Sequence, residues 1–181
     1  TENGSSEVID NTITITDVDD TQMSGATVTI SDGFTDGDIL SLTSQNGISG
    51  SYNSSTGILT ISGTASIEHY ETALKSVTYH STNDDPTISL NNLIITWQIT
   101  DANSESVGFE ISNLDQSIIN ISPINDVPII IAGSTINYIE NSSGEVIDNT
   151  ITITDVDDTQ MSGATVTISD GFTDGDILSL T

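Results

Sequence analysis

The sequence contains no cysteine and only one basic residue, Lys75, against 27 acidic residues. A chain without disulfides must be stabilised by a buried core or by bound metal. The formal charge of −26 excludes nucleic acid as a natural partner, because such binding depends on Lys and Arg that neutralise phosphates. No apolar run is long enough to span a bilayer and no signal peptide is recognisable, so we expect no membrane insertion.

The residues that are abundant favour strands over helices, since Thr and Ile are frequent and Ala, Leu and Lys are few. Residues 11–16 (NTITIT) alternate between Ile and Thr, which predicts a half-buried strand. Residues 65–74 carry apolar side chains at helical spacing and predict one short helix. The lone tryptophan, Trp97, is predicted to lie in the core. Further strands are predicted over residues 26–30, 39–42, 48–52, 58–61, 76–80, 92–100, 107–111, 118–122, 129–131 and 136–139.

A long repeat organises the chain. Residues 7–43 return letter for letter as residues 145–181, which gives 37 identical positions at an offset of 138. We therefore expect the chain to be a window of a tandem array, about one and a third repeats long. One period is long enough to bury a core of its own.

The repeat and the proline-bracketed segment 123–128 divide the chain into two predicted domains. Residues 1–125 form a repeat that lacks its first strand, and residues 126–181 form the N-terminal part of the next, near-identical repeat. Residues 44–125 therefore have two identical candidates to complete them, residues 1–43 and residues 140–181. This is the condition for strand exchange within one chain or between chains.

Acidic residues gather where the predicted strands end. Pairs two apart can direct both carboxylates to one cation, because alternate side chains of an extended backbone point the same way. Calcium takes six to eight hard oxygen ligands, so we expect Ca2+ as the bound ion. The D-x-D pairs are Asp17 with Asp19 and Asp155 with Asp157; the other candidate ligands are Glu2, Glu68, Asp101, Asn125, Asp126 and Glu140.

These motifs resemble the cadherin-like tandem repeats of giant bacterial surface adhesins and the related repeats of chondroitin-sulphate-proteoglycan type. The resemblance rests on Glu-Asn at residues 2–3 and 140–141, on the two D-x-D pairs and on the linker I-N-D-V-P at residues 124–128. It extends along the whole chain in segments such as TITDVDD, LTISGTASIEHYETALKSVTYHST and WQITDANS. Together with the many short strands, it implies an all-β fold, an antiparallel Ig/cadherin-like β-sandwich in tandem array.

The resemblance implies a calcium site at the junction between repeats. Glu2, Glu68, Asn125 and Asp126 would come from one side, and Asp155 and Asp157 from the other. The linker is shorter than the D-x-N-D-N of cadherins, and S-I-E-H-Y-E replaces their D-R-E motif, so Glu71 is an alternative to Glu68 as the ligand from this segment. A structural alternative is that these aspartates only cap local turns, as Asp often does. No EF-hand loop is present, because residue 28, twelfth from Asp17, is valine.

The expected function is that of an extracellular calcium-binding spacer in a long surface adhesin, held rigid by Ca2+ at its junctions with adjacent repeats. The alternative is a self-assembling filament subunit, a homo-oligomer or fibril joined by strand exchange between repeats. No catalytic constellation or phosphate-binding glycine loop occurs, so we do not expect an enzyme. Candidate N-glycosylation sequons lie at Asn3, Asn53, Asn120 and Asn141.

Overall fold

The computed structural model describes residues 4–85, 92–104, 106 and 108–180. The chain separates into two compact units, Thr1–Asn125 and Asp126–Thr181. The described residues form antiparallel strands and one short helix, which confirms the all-β class. None of the described helical segments is long and apolar enough to cross a membrane.

The described residues of the first unit form eight strands and the helix. The helix, α1, spans Ile67–Leu74. Ser66 precedes it as the N-cap, and its side chain accepts the N–H of His69. The strands are β1 (Glu7–Val8), β2 (Gln22–Asp32), β3 (Asp38–Ser41), β4 (Ser49–Asn53), β5 (Ile58–Ser66), β6 (Thr78–Ser81), β7 (Asn92–Asp101) and β8 (Asp115–Asn120).

These strands form two antiparallel sheets. The larger has the order β4-β5-β2-β7-β8, and the smaller has the order β1-β6-β3. In the larger sheet Val28 lies opposite both Leu59 of β5 and Trp97 of β7. The two outer strands, β4 and β8, each pair with one neighbour among the described strands.

One hydrophobic core draws on both sheets and on α1. Its buried members include Val28 and Trp97 from the larger sheet, Leu40 from the smaller sheet and Tyr70 from the helix. The indole N–H of Trp97 donates to the Ser117 hydroxyl at 2.9 Å, which satisfies the polar end of this buried side chain. The core position predicted for Trp97 is confirmed.

Three predicted strands are not formed as expected. Residues 11–16 keep the alternation, with Ile13 and Ile15 packed against the core and the threonines exposed, but they join no strand ladder in the first unit. Within the described part of 107–111, only Ile111 makes a bridge, to Thr100. Residues 136–139 have no strand. The alternation of apolar and polar residues in 11–16 predicts which side chains are buried. It does not predict whether a partner strand is present to form a hydrogen-bonded ladder.

The second unit has two short strands, β9 (Ile129–Ile131) and β10 (Thr152–Thr154). They pair antiparallel, with Ile130 opposite Ile153. None of the described residues of this unit is buried, and the three residues of each strand are all exposed. A two-stranded ribbon of this kind is marginally stable in water.

The duplicated sequence adopts two different structures. Residues 22–32 form the long strand β2 at the centre of a sheet, whereas the identical residues 160–170 form no strand. Val28 is 0% exposed and its copy Val166 is 71% exposed. The first copy has β5 and β7 on either side, and the described residues of the second unit supply no equivalent. Pairing and burial, rather than intrinsic preference, therefore make this stretch a strand.

Two tyrosine hydroxyls beside the core bond to the buried residue Asp38. The Tyr52 hydroxyl donates to the backbone carbonyl of Asp38 at 2.6 Å, and the Tyr79 hydroxyl donates to its carboxylate at 2.6 Å. Burial, and then the negative charge of Asp38, raise the pKa of Tyr52 to about 12. Burial, followed by the bond to Asp38, also raises the pKa of Tyr79.

We expect the free energy of unfolding to fall as pH rises from about 10 towards 12, because the unfolded tyrosines release protons near pH 10 while the folded ones retain them. Tyr52→Phe should make the fall shallower. Denaturant titrations followed by Trp97 fluorescence at pH 8 to 12 measure this. Tyr138→Phe, at a tyrosine that is 55% exposed, is the control and should leave the profile unchanged. If the free energy of unfolding falls with pH at the same slope in Tyr52→Phe and in the unmodified chain, the role assigned to Tyr52 is wrong.

Candidate functional site

The first acidic loop follows residues 11–16 and is a tight turn built around Asp17. One carboxylate oxygen of Asp17 accepts the backbone N–H groups of Asp19 at 3.1 Å and Asp20 at 2.8 Å. These two hydrogen bonds hold the pKa of Asp17 below its usual value, and the bond from Asp20 has the larger effect. Asp17 and Asp19 are exposed, so their remaining oxygens face solvent and can reach a cation.

The second acidic loop follows β7 and is organised by Asp101. This carboxylate is buried, and its two oxygens accept the N–H groups of Asn103 at 3.0 Å and Glu110 at 2.9 Å. It thereby fixes both ends of the loop that leaves β7. A buried carboxylate with a hydrogen bond on each oxygen acts here as a structural anchor.

Asp20 connects the two acidic loops. Its carboxylate, only 7% exposed, accepts the backbone N–H of Ser104 at 2.8 Å and also the Ser104 hydroxyl. The backbone supports the same contact, since the N–H of Ala102 donates to the carbonyl of Gln22 at 3.0 Å. The residues that follow Asp17 and those that follow Asp101 are therefore held side by side.

Glu68 lies at the same end of the first unit. It is in the first turn of α1, and the preceding Ile67 donates its N–H to the carbonyl of Thr21 at 3.2 Å. The strand register agrees, because Met23 lies opposite both Ala65 of β5 and Asp101 of β7. The structure thus gathers three acid-bearing elements at one end of the larger sheet; the predicted ligands among them are Asp17, Asp19, Glu68 and Asp101.

The linker leaves from the opposite end of this sheet. Strand β8 ends at Asn120, which pairs with Asn92 at the start of β7, whereas Asp101 is at the end of β7. The chain continues from Asn120 towards Asn125. The structure therefore does not bring Glu68 and Asn125 to one end of the larger sheet, where the predicted junction site would need them.

The second unit repeats the acidic turn and adds the linker aspartate. One oxygen of Asp155 accepts the N–H groups of Asp157 at 3.0 Å and Asp158 at 2.9 Å, as in the first copy. The Asp157 carboxylate accepts the backbone N–H of Asp126 at 2.6 Å. Asp126, Asp155 and Asp157, three of the predicted ligands, thus lie together in this unit.

The remaining two predicted ligands are not part of these groups. Glu140 is exposed in a turn closed by the N–H of Ser142 donating to the carbonyl of Ile139 at 3.1 Å. Glu2 lies outside the described residues, as does the sequon residue Asn3.

The donor chemistry fits Ca2+, since both acidic groups offer carboxylate oxygens on turns. Their geometry is open, however: among the described residues, no group of three His, Asp or Glu side chains is arranged to hold a metal ion. The acidic residue that the sequence reasoning missed is Asp20. Asp20 is the third aspartate of the D-V-D-D motif. Its partner Ser104 lies 84 residues away in the sequence, so their contact cannot be predicted from motif spacing.

Comparisons with known proteins show a partial similarity to a curated protein. The chain is 40% identical over 98 residues, 51% of its length, to halomucin of Haloquadratum walsbyi. Halomucin is a large haloarchaeal cell-surface protein, and the matched part spans about 1% of its length. The matched protein is archaeal, whereas the resemblance stated from the sequence was to bacterial adhesins. No family model matches the chain. No solved structure is significantly similar.

Proposed function

We propose that this chain is an extracellular spacer repeat of a long cell-surface protein. The observation that carries the proposal is the exact return of 37 residues at an offset of 138, which is the mark of a tandem array. The similarity to a small part of a very large surface protein supports it. In this proposal each complete repeat is an antiparallel Ig/cadherin-like β-sandwich, and its partners are the adjacent repeats.

We further propose that the acidic turns bind Ca2+. In the second unit the ligands are Asp155, Asp157 and Asp126, and the bond from Asp126 to Asp157 supports this grouping. In the first unit the proposed ligands are Asp17, Asp19, Glu68 and Asp101. The Asp20 bridge, which joins the loop after Asp17 to the loop after Asp101, supports part of this grouping. Resemblance alone assigns Glu2, Glu140 and Asn125 to the same sites.

The physical role of the ion is to relieve repulsion. With 27 acidic residues and one lysine, the chain repels itself, and the effect is largest where carboxylates lie together. A bound Ca2+ neutralises these carboxylates and links segments that would otherwise separate. Monovalent salt reduces the same repulsion by screening but forms no such link.

Calorimetric titration with Ca2+ tests the binding. We expect saturable heat, and a rise in the free energy of unfolding of about 2.7 kcal/mol when free Ca2+ is 100 times the dissociation constant. Asp157→Asn should weaken binding, because it removes one charge of the Asp126–Asp157 group. Asp174→Asn, on an exposed turn, is the matched control and should bind as the unmodified chain does. No heat above dilution at constant ionic strength would rule out the site.

A second candidate function is self-assembly through exchanged strands. The specific observation in its favour is that residues 7–43 and 145–181 are identical, so either copy has the sequence needed to complete residues 44–125. Light scattering over a concentration series tests it. Mass that rises with concentration favours assembly, and a constant monomer mass rules it out.

A further inference from the structure

Residues 39–67 are the longest stretch of the sequence without a charged side chain. Charged residues make up 15% of the chain, and strands β4 and β5 both lie in this uncharged stretch. Two chains with a net charge of −26 repel one another, but salt screens charges that are further apart than about 8 Å at physiological ionic strength. A second chain therefore meets the least repulsion where no charged side chain is near.

Strand β4 is an outer strand of the larger sheet and lies within this stretch. It pairs with β5 on one edge, and no other described strand pairs with it. The other outer strands of the first unit each contain an acid: Glu7 in β1, Asp38 in β3 and Asp115 in β8. The sequence of β4, SGSYN, has no charge and no proline, and its pairing with β5 has no bulge. It therefore lacks the features that keep sheet edges from pairing with other chains.

The hydrogen bonds at the two ends of β4 show which residues face its free edge, the edge away from β5. At one end the carbonyl of Asn53 accepts the N–H of Gly57 at 3.0 Å, in the turn that leads to β5. At the other end Ile48, just before β4, exchanges both backbone hydrogen bonds with Gln45, at 2.7 and 3.0 Å. Backbone groups of successive residues in a strand point to opposite edges. Odd-numbered residues of β4 therefore face β5, and even-numbered residues face the free edge.

Gly50 and Tyr52 are the residues of β4 whose backbone groups face the free edge. Ile48 faces the same edge but is already bonded to Gln45. Within the described part of the chain, no backbone group outside β5 pairs with Gly50 or Tyr52. Each chain thus presents two N–H groups and two carbonyl groups in a row on one uncharged edge.

These backbone groups are complementary to the same groups in a second chain. A two-fold axis beside Ser51 places Gly50 of each chain opposite Tyr52 of the other, and Ser51 opposite Ser51. Gly50 and Tyr52 then exchange hydrogen bonds across the axis, while Ser51 occupies the non-hydrogen-bonded position between them. Any other antiparallel register pairs at most one of the two free residues, because Ile48 is bonded to Gln45. The free edge therefore specifies a single register.

The side chains of β4 also fit this register. The Tyr52 hydroxyl donates to the Asp38 carbonyl at 2.6 Å, so its ring is held on the inner side of the larger sheet. Gly50 is on the same side, because alternate residues of a strand share a face, and it leaves room for Tyr52 of the second chain. An aromatic residue opposite a glycine is a favourable pair at a sheet edge. On the outer side Ser51 is exposed, small and uncharged, so its two copies meet without like charges.

We propose that the free edge of β4 is a pairing surface, and that its occupant is β4 of a second copy of this chain. The two larger sheets then form one continuous antiparallel sheet across a two-fold dimer. A contact of one five-residue strand is smaller than the interfaces of stable complexes, so the dimer is weak and reversible. The inference goes beyond the spacer function and needs no Ca2+. It also differs from strand exchange, because each chain keeps all of its own strands.

Cysteine cross-linking tests the register, since the chain has no native cysteine. Ser51→Cys is oxidised at high protein concentration, and disulfide-linked dimers are measured by mass spectrometry. Facing residues at a non-hydrogen-bonded position have Cα atoms about 4.5 Å apart, within reach of a disulfide. The control is Ser49→Cys, on the same strand and face, whose two copies would be about 13 Å apart along the paired strands. We expect at least ten times more dimer from Ser51→Cys, and equal yields would overturn the proposal.

Two matched charge substitutions test the pairing without a cross-link. Ser51→Glu places like charges opposite one another in the dimer, so the association constant measured by sedimentation equilibrium should fall at least tenfold. Ser62→Glu adds the same charge to β5, at an exposed position away from the two-fold axis, and should change it by less than about twofold. Unchanged Trp97 emission in both variants confirms that they are folded. Equal effects of the two substitutions would contradict the assigned surface.

The salt dependence of the dimer separates an uncharged edge from a charged contact. Raising NaCl from 0.1 M to 1 M shortens the screening length from about 10 Å to about 3 Å, so the dimer fraction should rise as repulsion between the chains weakens. A dimer that dissociates as salt is added would overturn the proposal. Oligomers that form without the Ser51→Cys cross-link would also overturn it and would leave strand exchange as their cause. A constant monomer mass with no cross-link would overturn both.

Discussion

Leu40→Ala is expected to lower the free energy of unfolding of the first unit by about 2–5 kcal/mol, whereas Leu178→Ala should change it by less than about 0.5 kcal/mol. The two leucines occupy identical sequence positions, 138 residues apart. Leu40 is 1% exposed in the core, so truncation removes buried contacts and leaves a cavity. Leu178 is 42% exposed, and truncation there removes little.

Trp97 makes the measurement selective, because it is the chain's single tryptophan and lies in the core of the first unit. Urea titrations followed by its fluorescence report the unfolding of that unit for both variants. The second variant is the control, since the local sequence and the chemical change are the same. Equal losses for Leu40→Ala and Leu178→Ala would contradict the different burial of the two copies.

Asp20→Ala is expected to destabilise the first unit by about 1.5–3 kcal/mol, the usual contribution of hydrogen bonds to a charged group. The substitution removes the acceptor for both the N–H and the hydroxyl of Ser104. It also frees the loop after Asp17 from the loop after Asp101. If these loops share a cation, the Ca2+ affinity of the first unit should fall as well.

The matched control for this prediction is Asp158→Ala, the same change in the exposed second copy. It should alter stability by less than about 0.5 kcal/mol. Urea titration with Trp97 fluorescence measures stability, and calorimetry measures Ca2+ binding. The role of Asp20 as a bridge is wrong if both variants behave alike in the two measurements.

Much of the first unit could be predicted from the sequence, because its local patterns agree with its tertiary contacts. The alternating residues of β7 place Leu93, Ile95 and Trp97 on the buried face, as expected. Helix α1 matches the predicted stretch and adds the Ser66 cap. Strand β2 is longer than predicted, since its ends contain Ser, Gly and Asp, which pair with β5 and β7 despite poor intrinsic preference.

The failures arise where the outcome depends on partners. Residues 11–16 and 149–154 have the same alternation, yet only the second copy contains a strand, because β9 lies beside it. A single-sequence pattern specifies a buried face but does not specify whether a neighbouring strand is present. For the same reason, residues 160–170, which are identical in sequence to β2, form no strand.

The candidate site was predictable in its local part only. The D-x-D spacing predicted an extended pair of carboxylates, whereas Asp17 and Asp155 each cap a local turn, which was the structural alternative. The repeat correctly predicted that the two turns are alike. The contact between Asp20 and Ser104 could not be predicted, because the two residues are far apart in the sequence. The position of Glu68 could not be predicted for the same reason. Which end of a sheet an acidic residue occupies depends on strand direction and register, and motif order does not contain this information.

Small-angle X-ray scattering with and without Ca2+ tests the central claim, that cations stiffen this acidic repeat, most directly. The full chain is measured at several dilutions, at constant ionic strength, in Ca2+ and in chelator, so that screening and oligomers do not contribute to the difference. The account predicts a longer maximum dimension and the loss of the flexible-chain signal when Ca2+ is present. Superimposable scattering curves in the two conditions would contradict it.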